Sequence, residues 1–114
     1  MALIYKIVTA QEWDAALAEG RFDGSAVDRA DGFIHFSSAA QAEETAAKHF
    51  VGQSGLLLVG VDEKSLGDAL VYEVSRGGAL FPHLYGPLPT ALAHFARPLP
   101  LRADGAHDFT GFFA

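Results

Sequence analysis

The stretch GFIHFSS, residues 32–38, decides how the chain is read. Gly32 opens a run of aromatic and branched side chains of the kind that favours a strand, and two serines close it. Successive side chains on a strand point to opposite faces, so Ile34 and Phe36 share one face and Phe33, His35 and Ser37 the other. If Ile34 and Phe36 belong to the core, His35 and Ser37 are aimed into a groove or across a cleft. Ser38 with Gln41 has capping-box spacing, which predicts a helix through about Phe50 that ends at Gly52. His35 thus sits where a strand hands over to a helix N-terminus, whose free N–H groups and positive dipole end favour anions. The alternative is a half-buried structural histidine.

Upstream, LIYKIV (3–8) reads as a strand with Leu3, Tyr5 and Ile7 on one face. Thr9 and Glu12 form a second capping box, Gly20 stands at the C-cap position, and Trp13, Ala16 and Leu17 mark an inward stripe. Between Gly20 and the opening stretch, RFDGSAVDRADG reads as a long polar loop in which Asp28, Arg29 and Asp31 are solvated. From that loop Arg29 could reach an anionic ligand.

Downstream, LLLVGVD (56–62) is the best buried strand, and ALVYEVS leads into another ended by a turn at Gly77–Gly78. The expected place for Glu73 is the exposed face of that strand. The following FPHLYGPLP carries three prolines, which predicts a stiff extended segment rather than a regular central strand. An extended chain there points His83 and Tyr85 the same way and Leu84 the other, suiting pre-organised contact with a ligand. TALAHFARPLPLR reads as a short helix running into a strand, which puts His94, like His49, in a helical stretch. The apolar tail GFFA hints at a covered edge or a dimer contact. Helices early and strands late predict an α+β domain rather than a doubly wound one.

Composition excludes several chemistries. The 114 residues suit one domain, 1–114, and are half apolar with a net charge of −6. There is no cysteine, hence no thiol chemistry and no thiolate metal site. None of the five histidines shows H-x-x-x-H or H-x-H spacing, so no metal is expected. Scattered basic residues argue against a nucleic-acid backbone binder. No run approaches the roughly 18 apolar residues of a membrane span, and the N-terminus lacks signal-peptide character; a cytoplasmic protein is expected.

The segments IYKI…W…A…G, DGFIHFSS and FPHLYGPLP closely resemble, essentially end to end, the small bacterial family catalogued as domain of unknown function 952. The resemblance implies a fold like that of the ADP-ribosyltransferases, a compact, split, mostly antiparallel sheet with short helices and NAD in the cleft. IYKIVTAQEWDAALAEG is similar to the opening pattern of the NAD-using RNA 2′-phosphotransferase branch, and FIHFS to its second histidine motif. Lys6 then stands where that branch has a His or Arg on the ribose and adenylate side, and His35 matches the second motif. The catalytic Glu has no clean match; His83, Tyr85 or Glu73 stands near it. The resulting expectation is an enzyme, or a degenerate one, with His35 and His83 catalytic and Lys6, Arg29, Ser37 and Tyr85 binding ligand. NAD or a related small nucleotide is the expected substrate or ligand, with no cofactor required. The competing expectation is a non-catalytic module that binds a small anionic metabolite or a protein partner; under either, a monomer or weak dimer is expected.

Overall fold

Alternation in β1 (Leu3–Thr9) builds the first layer. Ile4 and Val8 face one way and Tyr5 and Ile7 the other, and all four are buried because both faces of the strand are covered. The computed structural model describes residues 2–113, with Arg76 described by its backbone alone. β1 pairs antiparallel with β4 (Leu56–Asp62), which pairs on its far side with β8 (Ala93–Leu99). On one face α1 (Ala10–Glu19) lays Trp13 and Ala16 against Ile4, Val8, Val59 and Val61. On the other, α3 (Ala39–His49) lays Ala42 and Ala46 against Tyr5, Ile7, Leu56 and Leu58. Small alanines let the helix approach the sheet closely. Each of the largest buried side chains, such as Leu58, contributes enough that truncation to Ala costs about 2–5 kcal/mol.

Both expected capping boxes are formed: Thr9 with Glu12, and Ser38 with Gln41. Gly20 adopts the left-handed conformation that ends α1. Leu17, however, is exposed (54 %), because the inward stripe narrows to Trp13 and Ala16.

The second layer is a three-stranded antiparallel sheet in the order β3 (Ile34–His35), β6 (Leu80–Leu84), β5 (Leu70–Val74). Here the structure corrects the sequence reading, since the proline-bearing segment is the central strand. Pro82 is tolerated because an antiparallel residue's N–H and C=O point to the same side. The Pro82 carbonyl accepts the Phe36 N–H, so its missing donor falls where β3 has already ended, and the ladder to β5 is intact. A separate two-residue ladder joins β2 (Arg21–Phe22) to β7 (Leu88–Pro89). The two larger sheets meet at one bridge, where Tyr5 and Ser37 exchange both backbone hydrogen bonds at 2.8 Å.

Two further expectations are corrected. The supposed loop 21–32 contains β2 and a short helix, α2 (Ala26–Asp31), because Ser25 and Asp28 cap it reciprocally and Gly32, at φ 88°, ends it. His94 lies in β8, not in a helix. The aromatic tail covers its own sheet: Phe113 meets Tyr5 edge-on at 4.9 Å, and Arg97 lies over the rings of Phe95 and Phe112. Phe95 itself sits on Gly60, where any Cβ would come within 2.5 Å of its ring. No helix among the described residues is long and apolar enough to cross a membrane.

Candidate functional site

Where the two sheets join, β1, α2, β3, α3 and β6 surround a cleft of about 760 Å³. Its apolar wall comes from Ile7, Phe36, Ala42, Phe50 and Phe81, and its polar end gathers Lys6, Asp28, Asp31, His35, Ser37 and His83. Of the candidates read from the sequence, Lys6, His35, Ser37 and His83 therefore line one cavity.

Asp28 organises the polar end. It is 2 % exposed, and both its oxygens are occupied. Oδ1 accepts from the His35 backbone N–H at 3.1 Å, from His35 Nδ1 at 2.6 Å and from the Lys6 ammonium at 3.0 Å. Oδ2 accepts from the Ser25 N–H and from Lys6, both at 2.9 Å. Burial alone would raise this carboxyl. The hydrogen bond from His35, the charge of Lys6 and the Ser25 N–H outweigh it and hold Asp28 well below the usual carboxylate range. Burial also drops Lys6 below the usual lysine range, against the pull of Asp28 in the other direction. Lys6 is thus neutralised from beneath and is not a free cation at the cleft floor.

His35 is clamped at both ends. Nδ1 is held by Asp28, and Nε2 lies 2.9 Å from Oδ2 of Asp31, at the exposed end of α2. A carboxylate only accepts, so the two contacts are both made when each ring nitrogen carries a proton.

His83 pairs with His35 across β3 and β6, and the two rings stand 5.5 Å apart at 72°. Nδ1 of His83 donates to Oε1 of Glu73 at 2.8 Å, which leaves Nε2 as the acceptor nitrogen of a ring that lines the cleft. Tyr85 donates to the same oxygen at 2.7 Å. The hydrogen bonds from Tyr85 and then His83 lower Glu73, and Glu73 in turn raises Tyr85. Phe33 closes the group by stacking on His83 at 4.0 Å and meeting the rings of His35 and Tyr85 at a tilt.

Ser37 is buried, with its hydroxyl 3.1 Å from that of Thr45 on α3. Two candidates lie elsewhere. Arg29 turns away from the cleft to donate to the Gly24 carbonyl at 3.2 Å, and it lines a separate recess with Arg21 and Glu19. Tyr85 stands behind His83, where it supports Glu73 and lines no part of the cleft. Glu73 does lie on the open face of β5, as expected, and from there it accepts from His83 and Tyr85.

Asp28, Asp31 and Phe33 belong to the site although the sequence reading leaves them outside it. The signal for Asp28 was its spacing three residues after Ser25, the same pattern that identified the caps at Thr9 and Ser38. No group of three or more His, Asp or Glu side chains among the described residues is arranged to hold a metal ion.

Residues 7–94 match the family model described as "Protein of unknown function (DUF952)". That span holds His35, His83, Asp28 and Glu73 but stops short of Lys6 and the aromatic tail, so it is narrower than the end-to-end resemblance. The chain is similar to protein CC0527 of Caulobacter crescentus in its crystal structure, with 56 % identity, 94 % of each chain covered and a TM-score of 0.91. It is similar also to the solution NMR structure of CC0527, with 54 % identity over 100 % of this chain and 98 % of that one, at a TM-score of 0.89. No curated protein matches the chain.

Proposed function

The chain belongs to that DUF952 family, and we propose that its cleft takes a small nucleotide of the NAD type, as a transferase or a degenerate relative with an ADP-ribosyltransferase-like architecture, acting in the cytoplasm. One observation carries this reading: two imidazoles in a single cleft, each oriented through Nδ1 by its own carboxylate, with an apolar wall beside them. Such an arrangement fits a ligand with a hydroxyl- and phosphate-bearing end and a flat ring.

In this scheme His83 is the acid/base. A hydroxyl attacking the ribosyl carbon forms the new C–O bond, its proton passes to His83 Nε2, and the C–N bond to nicotinamide breaks. The pyridinium nitrogen takes the bonding pair and leaves neutral. Glu73 fixes the tautomer that makes Nε2 the acceptor. His35 and the Ser37 hydroxyl contact ribose or phosphate, and Lys6 holds its charge in place with Asp28.

A second reading, a binding module without catalysis, is favoured by one feature. The two carboxylates that orient the histidines, Asp28 and Glu73, are already committed to them, which leaves neither to stabilise a positively charged ribosyl group. Calorimetric titration with NAD and ADP-ribose, together with an assay for released nicotinamide, separates the two. Binding with release supports the transferase, and binding that survives without release supports the module. Absence of any binding or release overturns both nucleotide readings. His83→Ala is expected to abolish release while ADP-ribose still binds.

A further inference from the structure

His35 presents an occupied nitrogen. Nδ1 is used internally by the buried Asp28, and the only nitrogen that faces outward, Nε2, is held by Asp31 at 2.9 Å. The two carboxylates differ in kind: the Asp28 side chain is 2 % exposed and meets three groups besides the His35 ring, whereas that of Asp31 is 50 % exposed at the end of a six-residue helix. The Gly32 and Phe33 N–H groups hold the helix end to the Asp28 carbonyl, so Asp31 can leave Nε2 by turning its own exposed side chain while the backbone stays in place. Asp31 and His35 both line the cleft.

We propose that the Asp31 carboxylate is a resident stand-in for a ligand oxyanion on His35 Nε2, so that a phosphate or carboxylate group of the ligand enters by displacing it. The inference rests on the cleft being the ligand site, and it names the chemistry of the group that meets His35. A ring protonated on both nitrogens and backed by a buried carboxylate donates a charge-assisted hydrogen bond to any oxyanion placed at Nε2. Asp31 fills that position from a surface helix end, where an exposed pair is weak and replaceable. The native chain therefore competes with its own ligand, and the residue nearest the ligand's anionic group weakens its binding.

The test compares the wild type, Asp31→Asn, and Asp31→Asn combined with His35→Gln, each titrated with inorganic phosphate and separately with ADP-ribose. Heat and the ring nitrogen resonances of His35 are the readouts, and a native amide NMR spectrum confirms folding. Asp31→Asn is expected to tighten binding of both probes about two- to five-fold. Adding His35→Gln should remove the gain, and phosphate should move the His35 resonances of the single variant. Asp31→Asn binding both probes no better than the wild type overturns the proposal. Phosphate tightening while ADP-ribose binds no variant leaves it standing and removes the NAD-type reading. ADP-ribose binding equally to wild type and Asp31→Asn does the reverse, and no binding of either probe to any variant sinks both.

Discussion

The two histidines of the cleft are register partners on adjacent strands, and each has a carboxylate on Nδ1, yet they are held in opposite ways. At His35 the carboxylate is buried and the ring half open: Asp28 is 2 % exposed and the imidazole 32 %. At His83 the ring is buried and the carboxylate open, at 5 % and 39 %. Asp28 also caps α2 and neutralises Lys6, so it belongs to the scaffold as much as to the site. Glu73 accepts from His83 and Tyr85 at the edge of the second sheet, and it can be altered without disturbing the core. One dyad fixes the shape of the cleft, and the other is free to be tuned for chemistry.

The largest expected effect follows from the buried dyad. Asp28→Ala removes one half of the capping box of α2 and strands the Lys6 ammonium inside the fold, which should cost about 3–5 kcal/mol in chemical denaturation. A loss below about 1 kcal/mol would show that Lys6 finds water in its place. The pH dependence has a definite sign. Asp28 has a folded-state pKa below its unfolded one, so its contribution is fully present above the ordinary carboxylate range. It fades as pH falls from there towards the folded-state value. The wild type should therefore lose stability on acidification more steeply than Asp28→Asn, compared by denaturant midpoints between neutral pH and pH about 3.

Much of this frame was legible in the sequence, and the parts that were not share a cause. Alternation placed Ile34 and Phe36 in the core and His35 outside it, and capping spacing placed α1 and α3, because both signals are local. Pro82 misled because proline's effect on a strand depends on which side its missing donor faces, and that is set by where β3 ends 47 residues earlier in the chain (residue 35 against 82). Asp28 read as solvated because its neighbours in sequence are polar. Its burial comes from His35 on β3 and above all from Lys6 on β1, 22 residues earlier, a contact that no local window contains. The joining of His35 and His83 was likewise a tertiary fact, although the outward aim of each was not.

Glu73→Gln should have a smaller effect on stability and a selective effect on the site. An amide can accept from Nδ1 or donate to it, so the substitution removes the preference for one His83 tautomer while leaving the fold intact. Long-range nitrogen–proton NMR spectra should show His83 shifting towards the Nε2–H form, with His35 unchanged. Any nicotinamide release should fall with it. Unaltered His83 resonances would mean that the tautomer is set by the strand ladder and the Phe33 stack, and Glu73 would lose its assigned role.

Tyr85→Phe is the mildest change and the sharpest probe of the open dyad. The phenol donates to the same Glu73 oxygen that accepts from His83, and its hydrogen bond is the leading cause of the lowered Glu73 carboxyl. Removing a donor to the charged form weakens that form, so the Glu73 titration midpoint should move up towards the ordinary range. The melting temperature should stay at the wild-type value, because an exposed phenol at a strand end holds no core packing. Carbon-detected titration of the Glu73 carboxyl reads the shift directly. A midpoint that does not move would place the Tyr85 hydroxyl in solvent, leaving Glu73 to be set by His83 alone. His83 would then keep its tautomer with one donor fewer around the carboxylate, and the contrast with the fully enclosed Asp28 would widen.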